Sequence, residues 1–265
     1  MIDRKQLKFT ARGFLAGARP SPWMVVLAAA AVLQILSLLQ SSVTNAAKIQ
    51  SLLLEYYNNP ENYEELLSRI MAAQPGVGAW CIDLLLQIMA LMVSTGVIIF
   101  VIRTVRDGKG SFGNLLDGLP VLLRVIGYEI VTYVFVFLWS LLFVIPGFIA
   151  AYRYRQGLYL LLDHPEMGIM DCISASKHMM KGHKGELFVM DLSFFGWFFM
   201  QSVLLNCLAM FLPALAATLL VLPLSAFVRA YTEFTYFLYY EALQGIHYDS
   251  RIPSADKNDP VGGDF

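Results

Sequence analysis

The sequence predicts an all-α fold: a polytopic transmembrane helical bundle of about six spans, with amphipathic helices at the interface. Three observations lead there. Of the 265 residues, 57% are hydrophobic and only 15% are charged, whereas soluble domains average about 25% charged residues. The apolar residues also fall in long blocks, and about 20 of them in a row suffice to span the hydrocarbon core. Finally, Lys and Arg gather in particular connecting segments, although the net charge is only −1. That asymmetry speaks to orientation across a membrane and not to nucleic acid.

Residues 1–22 carry Arg4, Lys5, Lys8, Arg12 and Arg19. Leu7, Thr10 and Phe14 recur at helical spacing with the cations on other faces, the pattern of a basic cytoplasmic helix lying at the interface. Pro20 and Pro22 end it. The block from Trp23 to Val43 is longer than a signal-peptide core and reads as a retained first span. Residues 44–78 form an acidic, extracytoplasmic amphipathic loop, with Glu55, Glu61, Glu64 and Glu65 against Lys48 and Arg69. Asn59-Pro60 has the form of a helix start. A second span follows from about Ala79 to Ile102, trailed by Arg103, Arg106 and Lys109.

Residues 119–162 pose the main ambiguity. As one helix they would be about 66 Å long, twice the thickness of the hydrocarbon core. Two crossings fit, with a turn expected near residues 137–140. A single crossing would make five spans in all. Charge parity favours two, because the N-terminus, residues 103–109, and Lys177, Lys181 and Lys184 should share the cytoplasmic side. Leu187 to Leu243 accommodates two more crossings. The transmembrane domain is thus 23–245, and 246–265 reads as a short disordered cytoplasmic tail.

Within 164–185, Ile169, Cys172, Ile173, Met179 and Met180 gather on one helical side. Asp171, Ser174, Lys177, His178 and Lys181 gather on the other. This is a cytoplasmic amphipathic helix suited to an interface. Lys177, Lys181 and Lys184 are candidates for contact with anionic headgroups.

Ionisable groups inside the spans are the candidate binding residues. Glu129 lies near mid-span, where an acid costs about 2.5–3.5 kcal/mol on insertion scales; a polar interior with an arginine partner is expected around it. Asp191 stands about 7.5 Å beyond Glu186 along the helix axis, close to headgroups. Arg229 and Glu233 share a helical face and are candidates for pairing. Arg153 and Arg155 could engage phosphate-bearing headgroups. No catalytic residues are evident: GxSxG, HExxH and the phosphate-loop pattern are absent. Cys81, Cys172 and Cys207 show no metal-ligand spacing and read as packing residues. Neither a metal nor another cofactor is expected.

Several short stretches carry a resemblance. They are Asp163-x-Pro165, Ala175-Ser176 with Met180-x-Gly182, Leu187-Phe188, and Leu192-Ser193-Phe194-x-x-Trp197. Pro146-Gly147 in its apolar context, Arg4-Lys5-x-Leu7-Lys8 and Tyr239-Tyr240-Glu241 extend it. Together they resemble a family of bacterial integral membrane proteins known as domain of unknown function 975. The resemblance implies a multi-pass protein of the bacterial plasma membrane, without implying a substrate or reaction. The acidic loop at 44–78 is not part of the pattern.

Two functions follow as expectations. The first is a non-enzymatic membrane scaffold or accessory protein, whose partners are membrane lipids and a membrane protein. The second is a small-solute or ion transporter using Glu129. It draws on the helix-breaking Pro146-Gly147 and Pro223, and on an echo between Pro146…Ala151-Tyr152 and Pro223…Ala230-Tyr231.

Overall fold

The computed structural model describes residues 4–18, 20–58 and 63–246. The Asn59-Pro60 helix start and all but the first residue of the expected tail lie outside them. The described residues form helices and connecting turns, with no strand among them. Among the described residues, five helices are long and apolar enough to cross a membrane.

The first helix, α1 (Arg4–Gly17), precedes α2 (Pro22–Val43), which starts with proline at its first position. There the missing N–H would have had no helical partner anyway. Thr44 closes α2 by donating its N–H to the Gln40 carbonyl. Asn45 then adopts φ 53°, a left-handed conformation that asparagine tolerates better than most residues. Its amide donates to the Ala73 carbonyl at 3.1 Å. That bond ties together the hairpin of α3 (Ala46–Asn58) and α4 (Tyr63–Ala73). Arg69 braces the hairpin against Glu55 and Glu65.

The 31-residue α5 (Val77–Asp107) ends at Gly108, whose φ of 65° supplies the left-handed cap. The chain then folds back along α5 through a short 3₁₀ turn, Phe112–Leu116. Gly96 and Gly118 permit this approach. A Cβ on Gly96 would stand 2.7 Å from the Leu115 Cα, against backbone that cannot swing aside. Gly96→Val is therefore expected to cost about 1–3 kcal/mol through overpacking. A thermal-unfolding midpoint in detergent measures the loss, with Gly78→Val, where a Cβ meets nothing, as the control.

A hairpin follows, formed by α6 (Leu122–Leu142) and a return leg in two pieces, α7 (Val144–Tyr154) and α8 (Gly157–Asp163). The reversal falls at Phe143, in extended conformation, and not at residues 137–140. The displacement has a physical reason. Pro146 fits only within the first turn of a helix, so it sets where α7 begins. Gly147 then lets α7 approach Ser140 of α6 closely. The return leg brings the chain back to the level it left, because Arg124 donates to the Met167 carbonyl at 2.6 Å. Within this hairpin only α6 qualifies as one long apolar helix, so the described residues hold five such helices against the expectation of about six.

The remaining helices are α9 (Ile169–Met179), α10 (Lys184–Ala209) and α11 (Ala214–Leu243). Pro223 lies inside α11, and Gln201 of α10 donates to the adjacent Leu224 carbonyl at 3.3 Å.

Packing is concentrated at one end, the end bearing α1, Arg106 and α9. Phe14, Phe100, Phe194, Phe234, Tyr239 and Tyr240 are fully buried there. Phe234 stacks on Phe14 and meets Phe100 edge to face. At the other end Leu85, Phe137, Leu141, Phe199 and Phe211 are exposed, as lipid-facing side chains would be. Expected as an interfacial helix, α1 in fact buries Thr10, Ala11, Phe14 and Leu15 against the bundle, leaving Arg4, Lys5 and Arg12 exposed. Similarly, the apolar side of α9 places Cys172, Ile173 and the following Met180 in the protein core.

Candidate functional site

Two ion clusters occupy the packed end. In the first, the end of α5 supplies Arg106, the end of α8 supplies Asp163 and α11 supplies Glu241. The Arg106 guanidinium donates to both carboxylates, at 2.9 Å from Nη2 to Asp163 Oδ2 and 2.7 Å from Nε to Glu241 Oε1. Tyr240 donates its hydroxyl to Asp163 at 2.9 Å, and Gln244 donates to Tyr240 at 2.8 Å. Side-chain exposures are 28% for Arg106, 10% for Asp163 and 0% for Glu241. Glu241 Oε2 is buried without a hydrogen-bond partner. The planar fork of arginine suits such a two-carboxylate arrangement.

The second cluster centres on Asp191 of α10. It accepts from Tyr152 at 2.8 Å, Tyr236 at 2.7 Å and Arg155 at 2.5 Å. Arg155 also lies over the Tyr236 ring, 4.4 Å from its centroid. The cluster joins α7, α10 and α11 at the point where the return leg breaks. That break exposes carbonyls, which are then satisfied locally. Tyr128 donates to the Tyr154 carbonyl at 2.5 Å, and Ser176 donates to that of Arg153 at 2.9 Å.

The other sequence-derived candidates are placed differently. Glu129 is half-buried on α6. It makes no ion pair within 4 Å among the described residues, so the expected arginine partner is not there. Arg229 and Glu233 do not pair within that distance either, and Arg229 instead donates to Ser94 of α5 at 3.3 Å. Arg153 sits over Trp139, 5.9 Å from its centroid. Lys177 and Lys181 are exposed and Lys184 is half-buried. Cys172 is buried, whereas Cys81 and Cys207 are exposed, so only the first is a packing residue.

The sequence alone places Arg106 among loop charges. Asp163 and Glu241 lay inside the motifs of the resemblance but had no role assigned. A usable signal was available, since both acids sit at the ends of apolar blocks where a buried cation would be needed. Lys8 of α1 is a further addition. It donates to Ser193 at 2.5 Å and lies over Phe194. Burial first, and then Arg12 and Arg4, hold its pKa below the usual lysine value. Among the described residues, no group of three or more His, Cys, Asp or Glu side chains could hold a metal ion.

Five long apolar helices among the described residues, three of them (α5, α10 and α11) tied by ion clusters at one end, define a multi-pass helical membrane protein. Residues 128–247 match the model of a family described as "Protein of unknown function (DUF975)". The match covers α6 from Tyr128 through α11, including both carboxylates of the first cluster and all of the second, and bears out the resemblance over that segment. Neither the curated proteins nor the solved structures yield a match.

Proposed function

We propose that this chain is a non-enzymatic scaffold or accessory protein of the bacterial plasma membrane, with its N-terminus in the cytoplasm. The observation that carries this reading is the closure of the charged groups. Arg106 is paired with both Asp163 and Glu241, a cluster with one carboxylate in excess, and Arg155 is paired with Asp191. Groups locked in mutual ion pairs hold helices together and are poorly placed to release and recapture a translocated ion.

The packed end faces the cytoplasm in this reading. It carries Arg4, Lys5 and Arg12 on α1, Lys177 on α9 and Lys181 in the turn after it, all exposed. These amphipathic helices, with Lys184, rest their cations among anionic headgroups, each contributing about 1 kcal/mol. The exposed apolar flanks beyond remain for lipid or a membrane-protein partner.

The transporter reading rests on one observation, the unpaired Glu129. Proteoliposomes decide between the two. The scaffold reading expects proton and monovalent-cation leak no greater than in protein-free vesicles, unchanged by Glu129→Gln. A leak well above that baseline, abolished by Glu129→Gln in a variant that still inserts, would establish the transporter. Cysteine substitution at Lys177, with Cys81, Cys172 and Cys207 replaced by serine or alanine, tests the orientation: an impermeant maleimide should label it only after the membrane is opened.

A further inference from the structure

A cleft of about 320 Å³ lies over α11 between α2 and α10, lined by Ala30, Leu33 and Gln34 of α2, Leu205 of α10, and Thr218, Val221, Leu222, Ser225 and Arg229 of α11. Its size is at the lower end of ligand pockets. Its lining is apolar or neutral except at one end, where Arg229 stands. Arg229 is the sixteenth residue of the 30-residue α11, so it sits about 21 Å from either end of that helix. A cation at such depth is costly and ordinarily has a carboxylate or water-filled surroundings. Here its hydrogen-bond partner is the neutral Ser94 hydroxyl, at 3.3 Å. Glu233, one turn along, lies beyond ion-pair distance. Arg106 and Arg155, by contrast, are each paired with a carboxylate. Arg229 has no such ion pair, and it borders a cleft.

We infer that this cleft binds an anionic single-chain amphiphile, its carboxylate or phosphate on Arg229 and its hydrocarbon chain along Leu33, Leu205, Val221 and Leu222. An anion would form charge-assisted hydrogen bonds with the guanidinium. Ser225 and Gln34 add neutral polar atoms to the lining. From Arg229 to Thr218 the α11 wall extends about 16 Å, long enough for a chain of about ten to twelve carbons. This goes beyond the scaffold reading and does not depend on it, since a bound amphiphile would serve either kind of protein.

The full chain in phosphatidylcholine nanodiscs provides the test, by equilibrium binding of laurate, dodecyl phosphate, dodecanol and acetate. Laurate or dodecyl phosphate should bind at least tenfold more tightly than dodecanol or acetate. Preference between the two anions tells a free fatty acid from a phospholipid-derived headgroup. Arg229→Gln should weaken anion binding at least tenfold while leaving the unfolding midpoint largely unchanged, because Arg229 makes no ion pair within 4 Å. Ala30→Phe, which narrows the wall and leaves the cation in place, should weaken it as well. The inference fails if dodecanol binds as well as laurate, or if Arg229→Gln leaves binding unchanged. It also fails if neither anionic amphiphile binds, including the case in which a helical peptide bearing a central aspartate does bind.

Discussion

Replacing Arg106 by glutamine is expected to destabilise the protein by about 3–5 kcal/mol, the range found when one partner of a buried ion pair is removed. The size of the effect follows from what is left behind. Asp163 and Glu241 would face each other across the junction of α5, α8 and α11 with no cation between them, and Glu241 is fully buried. Its Oε2 already lacks a partner, so losing the bond to Oε1 would strip the carboxylate of its remaining one. Unfolding followed by steric trapping or thermal aggregation should register the loss. A triple replacement, Arg106→Met with Asp163→Leu and Glu241→Leu, is the informative companion. Removing all three charges together should restore most of the stability, because apolar side chains of similar volume replace buried ion clusters at little cost. If the triple variant is as unstable as Arg106→Gln, the cluster has a role beyond charge neutralisation.

Asp191→Asn should cost about 2–3 kcal/mol. That is below the fully buried range, since Arg155 is 36% exposed and Asp191 23% and water partly compensates the freed guanidinium. The two tyrosines provide an internal calibration. Tyr152→Phe and Tyr236→Phe each remove one hydrogen bond to the same carboxylate, and each should cost about 1–2 kcal/mol. All three side chains converge on one carboxylate, so their effects should not add. The double variant of Asp191→Asn with Tyr152→Phe is expected to fall short of the sum by at least 0.5 kcal/mol, on the order of coupling seen between groups in one network. Full additivity would show that the cluster does not act as a unit.

The helical architecture was legible because composition and block length leave few alternatives. The long spans α2, α5, α10 and α11 fell where unbroken apolar runs lay. The reversal at Phe143 was missed because no residue there has turn chemistry; its position is fixed from outside, by Pro146 three residues on and by the small pair Ser140 and Gly147. The docking of α1 was missed for another reason. Apolar periodicity reveals that a helix has a sticky face but not whether lipid or protein covers it, and Phe14 proves to meet Phe234. The candidate residues divide in the same way. Asp191 and Arg155 were found as isolated charges in oil. Their partnership joins residues 36 positions apart, which no spacing rule reports. Arg229 and Glu233 were expected to pair because they share a face, but α5 approaches closely enough for Ser94 to engage the arginine instead.

The uneven packing makes the molecule stiff at its packed end and pliant at the other. Near Phe234 and Tyr239, helices are cross-braced by aromatic rings and ions. Beyond Phe137 on α6 and Phe199 on α10, side chains meet surroundings that cannot hold them in register. A thicker or thinner bilayer would therefore be accommodated by splaying of the outer helix tips about a fixed base, leaving the ion clusters undisturbed. Amide exchange should follow the same gradient, slowest beside Arg106 and fastest around Phe211.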